Sequence, residues 1–350
     1  MDVQAVEDFA HTVGTDQARS TASALAYIGD RLGLWAALAG SGPVTSGELA
    51  DLTGLDERYL GEWLATETAA GYLTYDPDTG AFTLPAEHAA VLADDSSPSA
   101  LAGAFESVAA FWAVAGRVAE AFHTGEGVAW EEQDPRLFSG VDRFFTPLYR
   151  RSLITEWLPA LEGTVAKLEH GGRVLDVGCG HGTSAILMAQ AFPRSTFGGI
   201  DAHEGSVAAA RAAAVKAGVA DRVTFSTGSA VDDLGSGWDL IAYFDAFHHV
   251  GDPVAAARRA RESLAADGTL MLVEPQAGDR LEDNLGLMGL FYYGASTLVC
   301  IPDALAQDGG EALGGQAGPG RLSEVLAEAG FSRVREAVET PFNLVIEARP

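Results

Sequence analysis

Arg173-Val-Leu-Asp-Val-Gly-Cys-Gly-His-Gly-Thr-Ser-Ala-Ile-Leu-Met-Ala-Gln-Ala-Phe192 is the stretch that decides the fold of this 350-residue chain. Val174 to Val177 is a short apolar run bearing one acid, Asp176, as expected of a buried parallel strand. Gly178, Gly180 and Gly182 then form a turn with no Cβ to keep a ligand from the backbone. From Thr183 onward the pattern predicts a helix whose free N–H groups face that ligand. A second strand, Thr196-Phe-Gly-Gly-Ile200, ends in another acid, Asp201. A glycine turn after one strand and a carboxylate after the next is how a doubly wound sheet holds a ribose-bearing ligand.

The spacing separates two kinds of nucleotide. A dinucleotide fingerprint, G-x-G-x-x-G, needs its third glycine at position 183, where this chain has threonine; the glycine stands at 182. Asp176-x-Gly178-x-Gly180-x-Gly182 instead resembles the first motif of the class I S-adenosylmethionine-dependent methyltransferases. That resemblance implies S-adenosyl-L-methionine as cofactor. Asp176, Gly178, Cys179, Gly180 and Gly182 would receive its amino-acid end and Asp201, Ala202 and His203 its ribose. Phe244 and Asp245 after the fourth strand would also face it. Ser229-Ala230 falls where many of these enzymes carry the acid that meets the adenine amine.

The other elements continue the same order. Helices are expected over 205–217, 253–266 and 319–329, and strands over 222–226, 238–244 and 269–273. The last two strands, 334–339 and 344–348, follow one another without a helix between them. That ending matches the seven-stranded class I methyltransferase sheet, α/β and Rossmann-like with an antiparallel seventh strand, and does not match a dehydrogenase.

The N-terminal third has the pattern of a DNA reader. Thr45-Ser-Gly-Glu48 is a capping box opening a helix to Thr53, and Asp56–Ala70 reads as a second helix. Gly71–Tyr75 and Ala81–Leu84 then form a hairpin around Asp76-Pro-Asp-Thr-Gly80. The charges exclude that function: the would-be recognition helix carries Asp56, Glu57, Glu62 and Glu67 against Arg58, and residues 1–100 hold only Arg19, Arg31 and Arg58 as cations. A net charge of −27, with Lys167 and Lys216 the only lysines, opposes binding to nucleic acid or to an anionic membrane. The reading is an N-terminal α-helical winged-helix dimerisation domain over 1–92, as in small-molecule O-methyltransferases of plants and actinobacteria. A helix over Ala22–Leu38 is either dimer interface or core. A helical connector and substrate lid is expected over 93–160 and the catalytic domain over 161–350. The opening residues lack a signal-peptide pattern, no apolar run spans a bilayer, and Cys179 and Cys300 imply no disulfide framework, so a cytoplasmic location is expected; the homodimer is what the resemblance implies.

Chemistry is expected beyond the carboxyl ends of the strands. There Asp245-Ala-Phe-His-His-Val-Gly-Asp-Pro253 follows the fourth strand and Glu274 ends the fifth. Plant-type O-methyltransferases keep a catalytic histidine in a His-Asp-Trp segment at this point. The resemblance therefore makes His248 the general base, although this chain has His249 and Val250 in place of aspartate and tryptophan. His-His also occurs in many class I enzymes simply as a helix start. Glu274 is an acceptor-orienting carboxylate or a pocket wall. Adjacent histidines on regular structure point apart, so no metal is assigned to His248, His249 and Glu274. Phe145 and Tyr149 upstream, with Met288, Phe291 and Tyr292 in an expected helix over 279–293, are the candidate acceptor pocket; a glycine-rich loop follows over 307–320. The function expected is methylation of a small molecule, on oxygen of an aromatic or polyketide-like metabolite. The alternatives are nitrogen or carbon methylation by proximity, and a non-catalytic cofactor-sensing regulator.

Overall fold

A computed structural model describes residues 1–350. The chain forms two compact units: Met1–Ala109 with Ser139–Pro147, and Ala110–Phe138 with Leu148–Pro350. The segment 93–160, expected as a connector, is thus shared between them.

In the first unit α1 (Val3–Arg31) and α2 (Leu34–Leu38) replace the single helix expected to Leu38. Gly33, at φ 71°, breaks it, because the left-handed region ends a right-handed helix and favours glycine. On either side of the break Leu34, Trp35 and Leu38 are buried in the core of this unit, while Ile28 and Leu32 are exposed. Next comes α3 (Ser46–Thr53), its start closed by the expected capping box between Thr45 and Glu48. The Asp56 side chain accepts from the Arg58 and Tyr59 N–H groups to open α4 (Glu57–Ala69). The hairpin β1 (Thr74–Asp76) and β2 (Ala81–Thr83) is the wing, and α5 (Ala86–Leu92), which periodicity did not reveal, follows it. The core gathers Trp35, Leu49, Leu60, Trp63 and Leu64. Both indoles are satisfied, Trp35 donating to the Ala26 carbonyl (3.1 Å) and Trp63 to that of Leu25 (2.9 Å).

The helices α6 (Ala102–Thr124) and α7 (Arg136–Ser152) contribute residues to both units. The helix α7 carries Pro147 in its interior. A π-helical turn over Leu153–Trp157, α8 (Leu158–Ala160) and α9 (Thr164–His170) lead into the sheet.

The second unit is built on β3 (Arg173–Val177), α10 (Thr183–Ala191), β4 (Thr196–Asp201), α11 (Glu204–Lys216), β5 (Val223–Thr227), β6 (Trp238–Phe244), α12 (Pro253–Ser263) and β7 (Leu264–Pro275). Then come α13 (Leu287–Ala295), α14 (Ile301–Leu305), α15 (Gly318–Glu328), β8 (Arg333–Glu339) and β9 (Asn343–Arg349). The helix expected over 279–293 begins only at Leu287. Strand order is β5-β4-β3-β6-β7-β9-β8; β9 runs antiparallel to both neighbours and the other strands are parallel. This is the predicted seven-stranded sheet. Its order reverses between β3 and β6, so the crevice beyond their carboxyl ends is the place for a ligand. No helix is long and apolar enough to cross a membrane.

Candidate active site

The glycine turn leaves β3 directly. Gly178, Gly180 and Gly182 all have positive φ (73°, 51° and 81°), a path that side chains rarely follow. A Cβ on Gly178 would meet the Ala246 methyl at 2.6 Å, and one on Gly182 would meet the Phe225 ring at 2.6 Å. Gly180 differs, because a Cβ there would meet nothing within 4 Å. Asp201, at the end of β4, accepts from the Gly180 N–H (2.8 Å) and the His203 N–H (2.9 Å), which ties the two strand ends together. His203 in turn caps α11, its Nδ1 accepting from the Ser206 N–H (3.1 Å), and its ring lies 4.2 Å from that of Phe138. Asp176 is fully buried. Ser184 donates to its Oδ2, and Oδ1 has no partner. Burial pushes its pKa up to about 7, against the Ser184 bond and with help from the Asp201 charge.

Beyond β6 and β7 lies a second, denser network. His248 sits on a 3-10 turn over Phe247–His249 and is 3% exposed. Its Nδ1 is 2.6 Å from Glu274 Oε2, while Glu274 Oε1 accepts from the Phe247 N–H at 3.0 Å. Burial opposes charge on the imidazole, but the Glu274 carboxylate outweighs it and the His248 pKa is raised. Asp245 is the only non-glycine residue with positive φ (50°), a strained geometry of the kind that concentrates at functional sites. Its carboxylate accepts from the Tyr149 hydroxyl (2.9 Å) and the Asn343 amide (2.7 Å). Burial, then the nearby Glu274 charge, push the Asp245 pKa up to about 7.

The structure therefore brings Tyr149, Phe244, Asp245, His248 and Glu274 into one neighbourhood, with the Tyr149 and Phe244 rings 5.5 Å apart. Tyr292 is buried and its hydroxyl donates to the Phe342 carbonyl (2.8 Å), beside Asn343; Phe291 lies edge-on to it, and Met288 is half-buried. Phe145 belongs to the first unit, where its ring meets Phe144. Ser229 and Ala230 follow β5, the Ser229 N–H donating to Asp232 at 2.8 Å. Cys179 is buried in the turn, and burial raises its pKa. Three residues escaped sequence reasoning: Asn343, which also donates to the Glu274 carbonyl (3.1 Å), and Cys300 and Asp303 beside His249. The signal for Asn343 was a polar residue opening a strand that is otherwise buried almost throughout.

These residues suit S-adenosylmethionine. Gly180 faces open space, Asp176 Oδ1 is a buried acceptor without a donor, and the acid of β4 stands one hydrogen bond from the turn.

Comparison with known proteins agrees. Residues 20–94 match the family of the Rv2258c-like winged HTH domain, and residues 175–270 match a methyltransferase domain. The chain is a methyltransferase-domain protein with an N-terminal winged helix.

A ubiquinone biosynthesis O-methyltransferase from Dinoroseobacter shibae is 31% identical over 135 residues, 36% of this chain and 54% of that protein. The chain thus spans about half the length of this relative. Among solved structures, the mitomycin 7-O-methyltransferase covers all of both chains at a TM-score of 0.73 and 20% identity. An O-methyltransferase of neocarzinostatin biosynthesis, crystallised with S-adenosylmethionine and 2-hydroxy-5-methyl naphthoic acid, covers 94% of this chain and 96% of its own at 0.63 and 20%. At these identities the likeness shows the fold alone, and what the chain acts on follows from its own residues.

Proposed function

We propose that the chain methylates a hydroxyl oxygen of a small aromatic or polyketide-like acceptor, with His248 as general base. The observation that carries this reading is the buried His248–Glu274 pair beyond the ends of β6 and β7. Glu274 holds Nδ1 and so assigns the proton to that side, leaving Nε2 as the acceptor. The raised pKa makes this imidazole a stronger base than an ordinary one.

Asp176, the turn through Gly178, Cys179, Gly180 and Gly182, then Asp201, Ala202 and His203 would hold the cofactor, with Phe244 and Asp245 on its other side and Ser229-Ala230 toward adenine. When bound, S-adenosylmethionine supplies an electrophilic methyl group on a sulfonium sulfur. The chain would align the acceptor hydroxyl with that methyl group and exclude water, and His248 would take the hydroxyl proton at Nε2. Tyr149, Met288, Phe291 and Tyr292 supply the acceptor-side wall. The mitomycin and neocarzinostatin enzymes, both acting on oxygen by name, support the acceptor class.

The winged helix serves assembly. Val3, Val6, Phe9 and Val13 lie exposed along one face of α1, suited to a second copy of the chain. DNA is a poor partner, since Arg58 is already paired with Glu62.

The test is incubation with methyl-labelled S-adenosylmethionine and a panel of phenolic acceptors. Label in an aryl methyl ether is expected. Label only on nitrogen or carbon overturns the oxygen assignment, and tight cofactor binding with no turnover on any acceptor favours a cofactor-sensing regulator.

The glycines provide a separate check. Gly180→Ala is expected to weaken S-adenosylmethionine binding by about tenfold in calorimetry, with a small loss of thermal stability from its left-handed backbone, about 1 kcal/mol. Gly182→Ala, whose methyl meets Phe225 and Ala210, should lower the melting temperature more than Gly180→Ala does. The reverse order would count against the assignment of Gly180 to the cofactor.

A further inference from the structure

The two adjacent histidines do not point apart. On their 3-10 turn the ring centroids of His248 and His249 lie 4.5 Å apart, and one donor atom from each lies within 4.8 Å of the other and of the Cys300 sulfur. Each ring is held at Nδ1 by a carboxylate: His248 by Glu274 at 2.6 Å, and His249 by Asp303 at 3.0 Å. The nitrogen left to each ring is Nε2. A carboxylate on one ring nitrogen and a metal on the other is the usual arrangement of metal-bound histidine, because the carboxylate fixes the tautomer and raises the basicity of the ligand. Here the carboxylate half of that arrangement occurs twice, side by side.

Cys300 and Asp303 stand three residues apart at the start of α14, so one helical turn supplies both the thiol and the carboxylate that orients His249. The Trp130 ring, edge-on to His249 at 5.2 Å, limits how that imidazole can turn. All three donor residues are buried or half-buried, away from the exposed acidic surface.

We propose that Nε2 of His248, Nε2 of His249 and the Cys300 thiolate form a site for one soft divalent cation of the zinc class, whose binding takes His248 out of service as a base. Two imidazoles and one thiolate suit Zn2+, which accepts three protein ligands with a fourth position open. Ideal bond lengths of about 2.0–2.3 Å put tetrahedral donors roughly 3.4 Å apart, so donors that now lie within 4.8 Å of one another must close by at most about 1.4 Å. The thiol proton leaves to solvent on binding. The cation site stands on these donors alone; the inhibitory consequence rests on the reading of His248 as base.

The probe is Co2+ titrated into metal-free full-length protein, followed by competition with Zn2+. One equivalent per chain should bind with a sulfur-to-cobalt charge-transfer band and the visible bands of tetrahedral cobalt, and Zn2+ should abolish both. Cys300→Ser should lose the charge-transfer band. Asp303→Asn, which keeps all three donors, should weaken binding about 10- to 100-fold. The absence of a charge-transfer band, or a Cys300→Ser protein that titrates like wild type, overturns the site. In turnover, Zn2+ should inhibit the wild type and leave Cys300→Ser unaffected, with metal-free rates alike. A charge-transfer band accompanied by undiminished methyl transfer would keep the metal site and overturn the assignment of His248 as base.

Discussion

Replacing His248 by alanine is expected to lower kcat for methyl transfer about 100- to 10,000-fold, the range that a positioned general base contributes. Affinity for S-adenosylmethionine should change far less than kcat, because Asp176, the glycine turn and Asp201 are bonded to one another and not to the lost imidazole, and only Asp245 among the groups assigned to the cofactor feels its charge. Calorimetry for the cofactor and single-turnover assays with the acceptor separate the two quantities. A variant that binds the cofactor normally and methylates at the wild-type rate would sink the base assignment, leaving alignment as the source of catalysis.

Alanine also strips Glu274 of a partner in a buried place, so a second variant is needed. Glu274→Gln keeps the shape and loses one acceptor. In the wild type Oε1 accepts from the Phe247 N–H and Oε2 faces His248 Nδ1. A glutamine that keeps its carbonyl on Phe247 must turn its NH2 toward Nδ1, which then has to accept. The ring proton moves to Nε2, where a base needs a lone pair. Glu274→Gln should therefore cost about 100-fold or more in kcat with little change in acceptor KM. If His248 were only part of a helix start, Glu274→Gln would lower stability and leave kcat in place.

How far the sequence reached follows from which interactions are local. β6 appears at its predicted bounds, Trp238–Phe244, because a buried parallel strand is written as a continuous apolar run. The β8–β9 ending was legible because two strands without a helix between them must pair antiparallel. The glycine turn was legible because positive φ restricts residue type more than anything else in the chain does.

Partners far apart in sequence were not legible. Asn343 meets Asp245 across 98 residues, Tyr149 meets it across 96, and Asp303 meets His249 across 54. No local period records such contacts. Tyr149 was found only through the resemblance, and Asn343 and Asp303 were not found at all. The rule that adjacent histidines diverge failed for a physical reason. It holds for regular helices and strands, and the 3-10 turn after β6 is neither.

Glu67 is where a period was present and went unread, and it carries the second large effect. Leu60, Trp63, Leu64 and Glu67 fall at the spacing of one helical face, and that face of α4 is the core of the winged helix. Sequence reasoning counted Glu67 among the surface acids that repel DNA; in the structure it is 0% exposed and neither carboxylate oxygen has a partner. Burial pushes its pKa up to about 7. An unfolded glutamate titrates near 4.3. Below that value both states hold the proton and the fold is not penalised. As pH rises from there to about 7 the unfolded chain loses its proton first, so stability falls across that window and is flat above it. The shift corresponds to about 3 kcal/mol, of which an uncharged amide with its own unmet hydrogen bonds recovers the larger part. Glu67→Gln is thus expected to stabilise the fold by about 2 kcal/mol at pH 8, to change little at pH 4, and to remove the decline between. Urea unfolding at the two pH values, wild type against variant, reads this directly. A wild type equally stable at both, or a variant less stable at pH 8, would show that Glu67 has found a charged partner in solution.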